Sequence, residues 1–163
     1  MQETAADLAA LQELLDRSYE TAGQHLRRII TSERRLTAEQ VAERLTGMCL
    51  LALATGTADG RPIVGPVDGI FFRGAFHFGS APDSVRFRHI DARPHVSATH
   101  LPGEELAVTV HGRAVPVDIR SDAGAGFRQA LLEVYGPDRE DFIDSGPRYA
   151  RIEPDRMFTF HMA

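Results

Sequence analysis

Apolar positions fall at two different periods along this chain. Leu8, Leu11, Leu15 and Tyr19 recur at spacings of three and four, with Glu3, Asp7, Glu13 and Asp16 between them. That is one face of an amphipathic helix. Gly23 interrupts the pattern and His25 to Ile30 continue it. Thr37-Ala38-Glu39-Gln40 opens a second helix, with Thr37 as N-cap and Gln40 at the third helical position, a capping box. Val41, Ala42 and Leu45 supply its apolar face, and Gly47 is its stop.

From Met48 the period is that of strands. Residues 48–55 form a continuous apolar run, fit for a strand buried on both faces. Thr57-Ala58-Asp59-Gly60 is a hairpin turn, Asp-Gly supplying the positive φ it needs. Residues 61–72 form a second strand, bent where Gly65-Pro66 and Gly69 fall. Arg73-Gly74 turns it into a third, residues 75–80. Residues 82–92 read as a short helix, 95–101 as a fourth strand and 106–117 as a long fifth. A helix over 127–135 and an acidic connector over 138–146 follow. Residues 149–162 make a sixth strand, interrupted by a turn at Glu153-Pro154-Asp155. Short hairpins with two inserted helices argue against a doubly wound parallel sheet. The expected fold is mainly β, of the α+β class: a six-stranded antiparallel barrel that closes on itself. Residues 1–47 form a helical extension and 48–163 the barrel domain.

Composition narrows the function. The chain has 163 residues and a formal charge of -5, one ordinary domain with an acidic balance that argues against a nucleic-acid partner. A helix-turn-helix reading of the first 47 residues meets Glu39 and Glu43 at the recognition position, where phosphates would repel them. All 18 basic residues are Arg, so any anion-binding cation is Arg or His. Arg offers phosphate a planar fork and stays charged. Cys49 is the only cysteine and sits in an apolar run, which excludes an intrachain disulfide and a Cys-type zinc site. The first residues lack a basic start followed by an apolar core, so no secretory signal is expected, and no apolar run approaches about 18 residues. A cytoplasmic protein without a membrane partner is expected.

The segment Phe78-Gly79-Ser80-Ala81-Pro82-Asp83-Ser84-Val85-Arg86-Phe87-Arg88 carries most of the chemistry. A strand ends at Gly79-Ser80 and a helix follows at once. Free N–H groups and the positive end of the dipole make a helix start an anion site. Ser80 and Ser84 add hydroxyls, and Arg86 is near enough to close on the same anion. The same residues also read as an ordinary capped helix, with Ser80 or Asp83 as cap and both arginines in solvent. Physical reading alone leaves both open. Beside this segment, Arg61-Pro62-Ile63-Val64-Gly65-Pro66-Val67 offers a flat, apolar strand that could support a planar ring. His95 and His100 lie five apart on a strand and face opposite sides, and no carboxylate–histidine cluster has ligand spacing, so no metal site is expected. No G-x-S-x-G elbow, P-loop or H-E-x-x-H appears.

In order and spacing, four segments resemble the pyridoxamine 5'-phosphate oxidase-like FMN-binding split barrels. They are the hairpin Leu51-Ala52-Leu53-Ala54-Thr55…Asp59-Gly60-Arg61-Pro62, the segment from Phe78 to Ile90, Arg93-Pro94-His95-Val96-Ser97, and Val108-Thr109-Val110-His111-Gly112-Arg113-Ala114. The resemblance spans about Leu36 to Met162. It implies a split barrel acting as a homodimer, with two sites at the subunit interface, each holding FMN or a deazaflavin. Such proteins commonly place Lys where Arg86 stands, against the cofactor phosphate; Arg keeps the charge. Many have a basic residue where Ser84 stands, and Arg88 is the substitute here. Ring contacts carry over onto Ile63, Val64, Pro66 and Val67, third-strand contacts onto Gly79 and Ser80, and a contact from the partner subunit onto His111.

The substrate motifs of the true oxidases are not evident, so vitamin B6 oxidation is not inferred. No catalytic acid or base is assignable. The function expected is a flavin-dependent oxidoreductase moving two electrons to a small organic substrate. The alternative is a non-enzymatic protein holding haem, flavin or a tetrapyrrole in the same barrel, with His111 and His161 as candidate iron ligands.

Overall fold

The computed structural model describes residues 2–162. Its first helix, α1 (Ala5–Glu20), starts at Thr4 and α3 (Ala38–Arg44) starts at Thr37, each by a capping box. Between them lie α2 (Gln24–Ile29) and a 3-10 turn, Ser32–Arg34. The strands are β1 (Met48–Gly56), β2 (Pro62–Phe72), β3 (Ala75–Ser80), β4 (His95–Gly103), β5 (Leu106–Val117) and β6 (Arg148–His161). All neighbours are antiparallel, and the barrel closes in the order β1-β2-β3-β6-β5-β4. Helix α4 (Val85–Ala92) joins β3 to β4; α5 (Ala125–Tyr135) and α6 (Glu140–Ser145) lie between β5 and β6.

The barrel's weak seam runs along β6. That strand pairs with β3 only from Arg148 to Arg151, which leaves the edge of its second half open. Helix α1 closes it with side chains. Met157 N–H donates to Ser18 Oγ (3.0 Å), Thr159 N–H to Tyr19 Oη (2.7 Å), and Tyr19 Oη donates to the Thr159 carbonyl (2.6 Å). Leu11, Leu14 and Leu15 then enter the same core as Leu51, Phe76, Val110 and Met157. A Tyr19→Phe variant strands buried backbone groups of Thr159. It should lose about 1–2 kcal/mol of stability, read as a lower urea midpoint with an unchanged slope.

Three local expectations are corrected. The run at 48–55 is buried on one face only: Cys49, Leu51, Leu53 and Thr55 point inward, while Met48 and Leu50 are 46% and 53% exposed. The outward positions of that strand, Met48 to Gly56 in alternation, are all exposed or half-buried. Residues 153–155 form a β-bulge rather than a turn, since His111 faces Arg156 and Gly112 faces Pro154, leaving Asp155 without a partner. Gly112 is required there, because a Cβ would stand 2.1 Å from the Glu153 carbonyl oxygen. Pro154, lacking an N–H, is tolerated at a bulge. Finally, residues 138–146 are not a plain connector. They form a 3-10 turn and α6, so three inserted helices replace the two expected. Arg128 fastens α6 through Glu140 (2.5 Å) and Asp144 (2.7 Å), which gives the local acidity a structural role.

Candidate functional site

Helix α4 is anchored from beneath. Phe87 and Ile90 are buried, and Phe87 stacks on Phe78 at 5.9 Å. Arg148 lies over the Phe87 ring at 4.5 Å and grips Asp91 with two bonds of 2.8 and 2.6 Å. The cap is Ser84, whose Oγ accepts from Phe87 N–H (3.3 Å). Neither Ser80 nor Asp83 caps the helix, because residues 81–84 turn before it begins.

Ser80 meets Arg86 instead. Arg86 turns toward β2, donating from one nitrogen to Ser80 Oγ (2.9 Å) and from the other to the Pro66 carbonyl (2.8 Å). It lies over Gly65, where a Cβ would come within 3.5 Å of the guanidinium. Among the described residues no carboxylate pairs with it. Partial burial lowers its pKa from the usual arginine value, yet a guanidinium remains charged. The result is a half-buried, fixed cation at the side of a cleft of about 210 Å³. Thr55, Ile63, Val64, Gly65, Ser84, Val85 and Arg86 line it.

The structure thus gathers Ile63, Val64, Ser84 and Arg86 into one cleft, with Ser80 and Pro66 bonded to Arg86. Other candidates lie elsewhere. Val67 points into the core. Gly79 faces Tyr149, whose ring a Cβ would meet at 2.8 Å. Arg88 bends back to the Asp83 carbonyl (2.7 Å) and does not line the cleft. Thr55 was not singled out from sequence. It is a polar residue ending an apolar run, buried in the cleft wall and bonded to His89 Nδ1 (2.9 Å).

His111 belongs to the outer face of the sheet. Val64, Ala54, Ser97 and His111 stand in one register row across β2, β1, β4 and β5; Pro66, Ala52, Thr99 and Thr109 form the next. His111 Nδ1 meets Ser97 Oγ at 2.8 Å. Apart from His111 both rows carry small, apolar or hydroxyl side chains, and Leu50, Val64 and Leu101 nearby are 53%, 63% and 61% exposed.

A second, larger cavity of about 490 Å³ lies against the barrel wall under α5 and α6, and Gly79 and Ser80 border it. His77 lines it and is only 5% exposed. Its Nδ1 meets the Ala75 carbonyl at 3.1 Å, so Nδ1 carries the proton. Burial pushes its pKa down from 6.5 to about 4. The neutral ring is therefore the folded form, and its contribution is whole above about pH 6.5. It declines as the pH falls toward 4, because the unfolded chain then takes up the proton more readily. From about pH 7 to pH 5 the protein should lose roughly 2 kcal/mol in urea titrations. A His77→Gln variant should show a flatter profile; an equal loss in both would remove His77 as the cause.

No protein-family model and no curated protein matches the chain significantly. Solved structures match its fold. HutZ, the heme storage protein from Vibrio cholerae, superposes with a TM-score of 0.64 at 20% identity, covering 78% of this chain and 94% of that one. A FAD-binding protein from Mesorhizobium loti gives 0.57 at 22% identity, covering 77% and 93%. An F420 reductase gives 0.55 at 19% identity, covering 71% and 93%. The chain has the fold of these split barrels. It spans 55% of the length of another match, an Agrobacterium tumefaciens protein of unknown function. Among the described residues of this split barrel, no group of three or more His, Cys, Asp or Glu is placed to hold a metal ion. Among the described residues no helix is long and apolar enough to cross a membrane.

Proposed function

We propose that this split barrel binds FMN, or a deazaflavin, as a homodimer and serves as an oxidoreductase for a small organic substrate. The observation that carries the reading is Arg86: a half-buried cation, fixed by Ser80 and the Pro66 carbonyl, with no carboxylate among the described residues to neutralise it. A phosphate is the group such a fork accepts. Ser84 and Thr55 would add hydroxyls, and the first-turn N–H groups of α4 a favourable dipole. The exposed Val64–Pro66 stretch would support the ring, and a second copy set on the uncovered β1–β2–β4–β5 face would close the other side. His111 of the partner subunit would then approach the site. The bound flavin supplies two-electron transfer; the protein's part is to hold the phosphate, orient the ring and exclude water. The solved FAD-binding protein and F420 reductase on this fold support the cofactor class.

A haem reading is favoured by one feature. His111 is exposed with Nδ1 held by Ser97, which presents Nε2 as a ligand atom, and the heme storage protein shares the fold. An absorption spectrum after adding FMN or haemin to the protein separates the two. The flavin reading expects perturbed flavin bands and no shifted Soret band.

A further inference from the structure

The 490 Å³ cavity under α5 and α6 is not the phosphate cleft, though Ser80 lines it and accepts a hydrogen bond from Arg86 of the cleft. Its walls are apolar and ring-rich: Ile70, Phe127, Leu131, Ile143 and Tyr149, with Phe142 at the edge. Phe142 is 62% exposed, an unusual position for a phenylalanine on a six-residue helix that Arg128 holds in place. Two charged side chains line the cavity, Asp68 and Arg139, so its net charge is zero.

Besides the charged Asp68 and Arg139, two uncharged polar side chains of its lining, His77 and Tyr135, have an atom with no hydrogen bond among the described residues; His77 stands on the wall between this cavity and a neighbouring one lined by Phe72, Val115 and Arg151. His77 is nine-tenths buried, and its Nδ1 proton goes to the Ala75 carbonyl. Nε2 is thus an acceptor with no hydrogen bond among the described residues. Tyr135 is half-buried, and its hydroxyl also makes none. Burial and the nearby Asp68 carboxylate raise its pKa to about 12, so it keeps its proton and can donate. An unpaired acceptor and an unpaired donor in an apolar, ring-lined space define a complementary ligand.

We propose that this cavity binds an uncharged aromatic molecule bearing its own hydrogen-bond donor, for His77, and a carbonyl, for Tyr135. A charged ligand meets both an Asp and an Arg and gains no net attraction. That the occupant is the redox substrate rests on the flavin reading above; that it binds does not.

The test uses the full chain and calorimetric titration with three probes. Neutral 4-hydroxyacetophenone carries both groups, 4-ethylphenol lacks the carbonyl, and 4-hydroxybenzoate is charged. The expected result is saturable binding of the first two and binding of the benzoate at least about tenfold weaker. Tyr135→Phe should weaken 4-hydroxyacetophenone about fivefold, the loss of one neutral hydrogen bond, and leave 4-ethylphenol unchanged. Phe142→Ala, an exposed site, should weaken both without lowering thermal stability. The proposal is overturned if neither neutral probe saturates by about 10 mM, a weak limit for fragments of this size. It is equally overturned if Tyr135→Phe affects the two phenols alike. FMN titrated in parallel separates the readings: probe binding lost with FMN binding intact removes only the cavity, and the converse removes only the flavin.

Discussion

Replacing Arg86 by alanine is expected to weaken FMN binding by ten- to a hundredfold. A charge-assisted hydrogen bond contributes about 1.5–3 kcal/mol, and the cleft has no other cation lining it: Arg88 is tied to the Asp83 carbonyl and points elsewhere. The fold should tolerate the change. Arg86 makes two hydrogen bonds at the surface of α4, whereas Phe87, Ile90 and the Arg148–Asp91 pair hold the helix down. Arg86→Lys should fall between the two, since it keeps the charge but cannot bridge Ser80 and Pro66 with one planar fork. Flavin fluorescence titrations of the three proteins measure this. Equal affinity in wild type and Arg86→Ala would remove the cleft as the phosphate site.

Ala52→Glu is expected to turn the protein into a monomer and to abolish tight cofactor binding with it. Ala52 is exposed in the middle of the uncovered face, between Pro66 and Thr99. In a monomer the new carboxylate stands in water and changes little. Across a two-fold interface it is buried unpaired in both copies, a penalty of roughly 3–5 kcal/mol each. Dimer dissociation should rise at least a hundredfold, visible by sedimentation. His111 is the reason the site should fail too. It lies three strands from Val64 in the same row, about 14 Å at ordinary strand spacing, so the proposed dimer takes this contact from the other copy. A monomeric wild type, or unchanged mass in Ala52→Glu, would remove this face as a subunit interface.

Much of the barrel was legible because its signals are local. The Thr37 box, the Asp59-Gly60 turn and the alternation of β5 each fix an element without reference to the rest. Burial across the sheet was not local. The 48–55 run looks the same whether its outer face meets a helix or nothing in its own chain. The bulge at Pro154 depends on Gly112, some forty residues earlier, and α6 depends on Arg128 gathering Glu140 and Asp144. The same division holds at the site. Arg86 and Ser84 stand out from their position after a strand, while the Pro66 carbonyl, Thr55 and the paired demands of His77 and Tyr135 arise only when distant strands meet.

Adding the purified protein to dilute FMN and following flavin fluorescence and absorption tests the central claim most directly. The account predicts a saturable change with a dissociation constant in the micromolar range, about one flavin per chain, and resolved flavin bands. No saturable change with FMN or with a deazaflavin, together with a Soret shift on adding haemin, would contradict it.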